Sequence, residues 1–185
     1  MCDAVKAALQ TPSPVFRCLT YATPMTTLAS ILQPDQVILD IAVDNKTALF
    51  DLLGDHFAKS TGLNKANITA SFAAREKVIS TALGCGVAIP HGRIKNLRDT
   101  QGVFLRAKSG LAFDAPDGEN VHLIFAMLVP EHATQTHLNL LSELAQMFSD
   151  EDFRARLMHV SDVALAHQLL KNWSPYAASE HSSAV

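Results

Sequence analysis

The sequence has no excess of basic residues: 15 Lys and Arg stand against 18 Asp and Glu, for a net charge of −3. With a pI near 6.2, it offers no basic stripe to neutralise a run of phosphates, which argues against nucleic-acid binding. Long hydrophobic runs are also missing. The longest, "VHLIFAMLVP" at residues 121–130, is about half of the roughly 20 residues a helix needs to cross a bilayer, so it reads as a core strand and the chain as not membrane-embedded. Cysteine is scarce. Cys2, Cys18 and Cys85 are odd in number and lack disulfide or zinc-ribbon spacing, which suits a reducing compartment. Asp3, Pro12 and Pro14 stand where an export signal would keep an apolar stretch. The expected location is cytoplasmic.

What is present is the material of one core: 185 residues, 48% hydrophobic and 18% charged. Residues 1–24 show no sustained period and read as a disordered extension, or as sequence ahead of a true start at Met25. Residues 174–185 are rich in Ser and Ala and read as a flexible tail. The folded unit is expected at residues 25–173. Within it, "QVILDIAV" reads as a strand, followed by Asp44 as an N-cap and by Ala48, Leu49, Leu52, Leu53 and Phe57 at helical spacing up to Gly62. Asn64 is expected to cap a second helix that turns Ile68 and Phe72 inward and carries Arg75 in its last turn. Further on come the strand "GVFLRAK", a turn at "DAPDGE", and the strand "VHLIFAMLV", which is apolar on both faces and therefore central in a covered sheet. Three helices should follow, at residues 133–148, from Asp152, and over "SDVALAHQLLKNW". The fold class is α/β, a central mixed β-sheet flanked by helices on both faces.

The stretch "REKVISTALGCGVAIPHGR" (residues 75–93) carries the chemistry. Gly84-x-Gly86 has Ile89 where a dinucleotide fingerprint needs a third glycine, and no Gly-Lys-Ser/Thr follows, so nucleotide loops are excluded. Glycines at 84, 86 and 92 allow positive φ and leave backbone N–H groups uncovered for an anion. Ser80 and Thr81 add hydroxyls, and Arg75 or Arg93 a planar fork for phosphate oxygens. A neutral imidazole at His91, held by Pro90, is a nitrogen nucleophile suited to accept a phosphoryl group. A surface or hydrogen-bonded histidine beside an ordinary glycine-rich turn fits the same residues. His137 lies in the first turns of a helix, where it either donates to a phosphate near His91 or sits on the polar face.

Together with "LAFDAPDGENVHLIFAMLVP" and "THLNLLSELAQMF", that stretch resembles the mannitol/fructose-type (type-2) IIA domains of the bacterial phosphotransferase system, most closely the nitrogen-regulatory branch. The likeness runs over residues 26–171. It implies a mannitol-type IIA sandwich and a phosphohistidine at His91 carried on Nε2. It also implies that Arg75 and His137 are active-site partners and that Ser80, Thr81, Gly84 and Gly86 line the phosphate. The donor is expected to be a phosphohistidine carrier protein of the HPr or NPr type, itself charged by a phosphoenolpyruvate-using enzyme I. Neither a metal nor a cofactor is implied. The expected role is a regulatory phosphocarrier whose phosphorylation state alters target proteins such as kinases, transporters or metabolic enzymes. The alternative is a fructose/mannitol uptake IIA passing phosphate to a separate IIB. Two departures from the pattern are Cys85 and the extension before Met25. Rival chemistries are a Cys85 nucleophile activated by His91 and a metal held by His91, His132 and His137.

Overall fold

The computed structural model describes residues 27–132 and 135–174. The extension over residues 1–24, all of the expected tail but Ser174, and Ala133 at the head of an expected helix lie outside these residues. In chain order the elements are α1 (Thr27–Ile31), a 3-10 turn (Pro34–Gln36), β1 (Val37–Ile41), α2 (Lys46–Thr61), α3 (Lys65–Glu76), β2 (Ala82–Gly84), β3 (Val87–Ala88), β4 (His91–Ile94), β5 (Gln101–Leu111), β6 (Val121–Pro130), α4 (Gln135–Ser149), α5 (Glu151–His159) and α6 (Val163–Lys171). Among the described residues, no helix is long and apolar enough to cross a membrane.

Capping sets the helix ends. α2 starts one residue later than the sequence suggests, because the Asn45 side chain, and not that of Asp44, accepts from the Ala48 N–H at 2.9 Å. Its far end closes on Gly62, whose φ of 72° lets its N–H return to the Ala58 carbonyl. Asn64 caps α3 as expected, while Asp150 caps α5, which therefore begins just ahead of Asp152. Asp162 caps α6 in the same way.

The six strands form one mixed sheet in the order β1-β5-β6-β3-β2, with β4 also pairing β6. β5 runs antiparallel to β6, whereas β3 and β4 run parallel to it. The period of two along β6 sends Leu123, Phe125, Met127 and Val129 into a core with α1, α4, α5 and α6. Ile124, Ala126 and Leu128 go to the other core, with α2 and α3. Both faces are covered, which is why the strand carries no polar alternation. Two strands, β3 and β4, share one side of β6 and are separated by Ile89 and Pro90, whose carbonyl accepts from the Met127 N–H at 2.9 Å. That interruption delivers His91 to the start of β4.

One charged side chain ties the layers together. Arg106, in β5 and 6% exposed, forks the Asp40 carboxylate with Nε and Nη2, each at 3.0 Å. Its Nη1 donates to the carbonyls of Leu157, Met158 and Val160 at the end of α5. These carbonyls lie where a helix has no N–H donors of its own to offer them. Arg106→Met should therefore destabilise the fold by about 3 kcal/mol in urea titration, because it strands buried acceptors. Asp40→Asn, at an exposed carboxylate that keeps an acceptor oxygen, should cost about 1 kcal/mol or less. Equal losses for the two variants would contradict this assignment.

Candidate functional site

The site begins with local strand geometry. The Ile89 N–H is bound by the Thr81 carbonyl at 2.9 Å, and Pro90 has no N–H to pair, so the chain steps from β3 to β4 at a fixed point. Along β4, Gly92 and Ile94 turn toward α2 and α3, which leaves His91 and Arg93 on the opposite side of the strand. Gly92 is needed for space and not for a positive φ. A Cβ there would stand 2.3 Å from Ser71 Oγ and 3.2 Å from the Phe72 nitrogen, so only glycine lets α3 approach β4 this closely. The close approach brings Arg75, in the last turn of α3, to His91.

Three expected residues converge. Arg75 Nε donates to His91 Nε2 at 3.0 Å, while His91 Nδ1 lies 3.0 Å from the Ile89 carbonyl oxygen. A carbonyl can only accept, so Nδ1 carries the proton and Nε2 keeps its lone pair toward the guanidinium. The His137 ring, near the start of α4, sits with its centroid 5.3 Å from that of His91 at a 55° tilt. It is buried, at 4% exposure, and its Nδ1 has no hydrogen-bond partner. A buried polar atom left open in this way is a demand for a ligand atom or water.

Electrostatics keep both rings neutral. Burial is the main cause holding His91 below the ordinary histidine pKa; the hydrogen bond to the Ile89 carbonyl, next in size, opposes it, the cations Arg75 and Arg93 add to it, and Glu76 opposes it least. His137 is pushed down to about 4, by burial first and then by His91, Arg93 and Arg75. At neutral pH both rings are then uncharged, each with one N–H and one nitrogen lone pair.

The other expected residues are placed elsewhere. Ser80 Oγ donates to the Phe113 carbonyl at 2.6 Å, and Thr81 Oγ1 donates to Glu76 Oε2 at 2.6 Å, so neither hydroxyl proton is left for an anion. Gly84 and Gly86 do have positive φ, at 92° and 74°, but they form the turn between β2 and β3. The Cys85 N–H in that turn is already taken by the Asp117 carboxylate at 2.6 Å. Gly86 pairs with the level of His122 and Leu123 on β6, and His91 with Met127. The turn is thus roughly 13 Å along the strand from His91, which also puts Cys85 out of reach of that ring. The expectation of a glycine-lined phosphate cradle is corrected accordingly: a carboxylate fills that concavity. His132 stands exposed, 3.9 Å from Glu131. Among the described residues, no group of three or more His, Cys, Asp or Glu is placed to hold a metal. The sequence reading missed the Ile89 carbonyl and Glu76, whose only signal was a carboxylate directly after Arg75.

The low His137 value has a thermodynamic consequence. Between pH 6.5 and about 4 the unfolded chain binds a proton at His137 that the folded chain does not. The part of the stability due to His137 should therefore fall as pH drops through this window and level off below about 4. In His137→Gln the slope of unfolding free energy against pH should be smaller by up to about one proton. Equal slopes in the two proteins would contradict a buried neutral ring.

Comparison with known proteins accords with this geometry. A family model described as "Phosphoenolpyruvate-dependent sugar phosphotransferase system, EIIA 2" matches residues 30–173. A nitrogen regulatory protein of Bradyrhizobium diazoefficiens is 31% identical over 143 residues, 77% of this chain and 94% of that protein. The crystal structure of nitrogen regulatory protein IIA-Ntr from Neisseria meningitidis superposes with a TM-score of 0.74 at 42% identity, covering 77% of this chain and 97% of that one. IIA mannitol from Escherichia coli shares the fold, with a TM-score of 0.65 at 22% identity over 75% of this chain and 98% of that one. The chain belongs to the type-2 EIIA family of the phosphotransferase system, in its nitrogen-regulatory branch.

Proposed function

We propose that this protein is a cytoplasmic regulatory phosphocarrier that accepts a phosphoryl group on His91 Nε2 from a phosphohistidine of an HPr- or NPr-type carrier protein. The observation that carries the reading is the pairing of Arg75 Nε with a lone pair on His91 Nε2, while Nδ1–H is held by Ile89. In the transfer, the lone pair of Nε2 attacks phosphorus in line, the P–N bond of the donor breaks, and the donor imidazole keeps that electron pair. No proton has to leave His91, because the attacking nitrogen carries none. Arg75 turns its N–H groups to the phosphoryl oxygens, and neutral His137 donates a hydrogen bond to one of them. The work is positioning and charge spreading, which suits an exchange between two similar P–N bonds.

A protein donor is supported by the rim. Val78 and Ile79 follow Arg75 at 79% and 67% exposure, and Leu138 follows His137 at 56%. Exposed apolar side chains around a charged centre suit a protein surface better than a small phosphorylated metabolite. Phosphorylation then adds about 1.5 to 2 negative charges beside Arg75 and Arg93, enough to switch an interface with a kinase, transporter or metabolic enzyme.

With phosphoenolpyruvate, enzyme I and the carrier, wild type should take up one acid-labile phosphate and His91→Ala none. Arg75→Lys, which loses the planar fork, and His137→Ala should each slow transfer by roughly 10- to 100-fold. Phosphate uptake by His91→Ala would overturn the assignment. Addition of a fructose- or mannitol-type IIB separates the sugar-uptake alternative: a regulatory carrier keeps its phosphate, and an uptake component passes it on.

A further inference from the structure

We infer that Glu76 is a positioning residue, which sets both His91 and Arg75 for phosphoryl transfer through Thr81 and the loop over residues 77–81. The inference rests on the acceptor role proposed for His91. Glu76 sits at the end of α3 with a side chain only 7% exposed, and its Oε1 lies 2.7 Å from Lys46 Nζ. The other oxygen, Oε2, accepts from both the backbone N–H and the hydroxyl of Thr81, at 2.9 and 2.6 Å. One carboxylate thus closes the loop that links α3 to β2.

Two branches run from that closure to the reacting atoms. In the first, the Thr81 carbonyl binds the Ile89 N–H at 2.9 Å, and the Ile89 carbonyl accepts from His91 Nδ1 at 3.0 Å. In the second, the Ile79 carbonyl inside the loop accepts from Arg75 Nη1 at 2.8 Å, which leaves Nε aimed at His91 Nε2. Both partners of the Arg75–His91 contact are therefore referenced to the same buried anion. A buried ion pair contributes little net stability over an apolar pair. Its place here is explained by the tolerance of the chemistry, in which a displacement of about 1 Å can cost about 100-fold in rate.

The test compares Glu76→Gln, Thr81→Val and Thr81→Ser with Arg106→Met, a destabilising change remote from His91. Nitrogen NMR of the His91 ring reports its tautomer, and single-turnover transfer from phosphorylated carrier reports rate and half-saturation separately. Glu76→Gln and Thr81→Val should give a mixture of ring tautomers and transfer slowed about tenfold, with half-saturation by the carrier changed by less than about twofold. Thr81→Ser, which restores the hydroxyl, should return both readouts to wild type, and Arg106→Met should leave the tautomer unchanged. A pure Nδ1–H tautomer in both Glu76→Gln and Thr81→Val overturns the inference, as does an equal response in Arg106→Met. The ring signal needs no phosphate, so a tautomer response in a protein that is never phosphorylated would overturn the acceptor reading alone.

Discussion

The hydrogen bond from His91 Nδ1 to the Ile89 carbonyl decides which nitrogen of the ring is free. Ile89 can offer that carbonyl because its own N–H is held by Thr81 and because the step through Pro90 separates β3 from β4 along β6. The sheet beneath is set by β6, a strand that feeds both cores, and the packing of α3 on β4 is set by the absence of a side chain at Gly92. Each layer of the fold thus ends in a constraint on one imidazole.

The site joins neutral rings to fixed positive charge. Two neutral histidines and the guanidinium of Arg75 are gathered in a partly dry environment, with a ring nitrogen of His137 unpaired. Burial keeps the rings uncharged, so the positive charge near them comes from Arg75 and Arg93. Under the proposed phosphocarrier role, a phosphoryl group on His91 would bring negative charge beside these two cations, and the modified surface would differ in charge from the unmodified one.

Much of the scaffold was legible in the sequence because its signals are local. Asn64 and Gly62 announce helix ends through their own backbone chemistry, and β6 announces its central place by being apolar on every second residue of both faces. The cap of α2 was expected at Asp44 and is Asn45, since both residue types can cap and only the start of the helix chooses. The short strands β2, β3 and β4 carry too few residues for a period. Convergence of Arg75, His91 and His137 was accessible through family resemblance and not through spacing. The misreading of the loop has a physical cause: glycine's freedom and glycine's smallness look identical in a sequence. Gly84 and Gly86 use the first for a turn held by Asp117, and Gly92 uses the second. Likewise, Ser80 and Thr81 display hydroxyls, but their acceptors, the Phe113 carbonyl and Glu76, are found only in three dimensions. Arg106 looks like a polar interruption of an apolar strand until the end of α5 is seen against it.

The central claim concerns one nitrogen atom, and phosphorus–nitrogen coupling in the phosphorylated, nitrogen-labelled protein tests it most directly. The account predicts coupling to His91 Nε2, with the proton retained on Nδ1 and donated to the Ile89 carbonyl. Coupling to Nδ1, or a phosphate carried by any other residue, would contradict it.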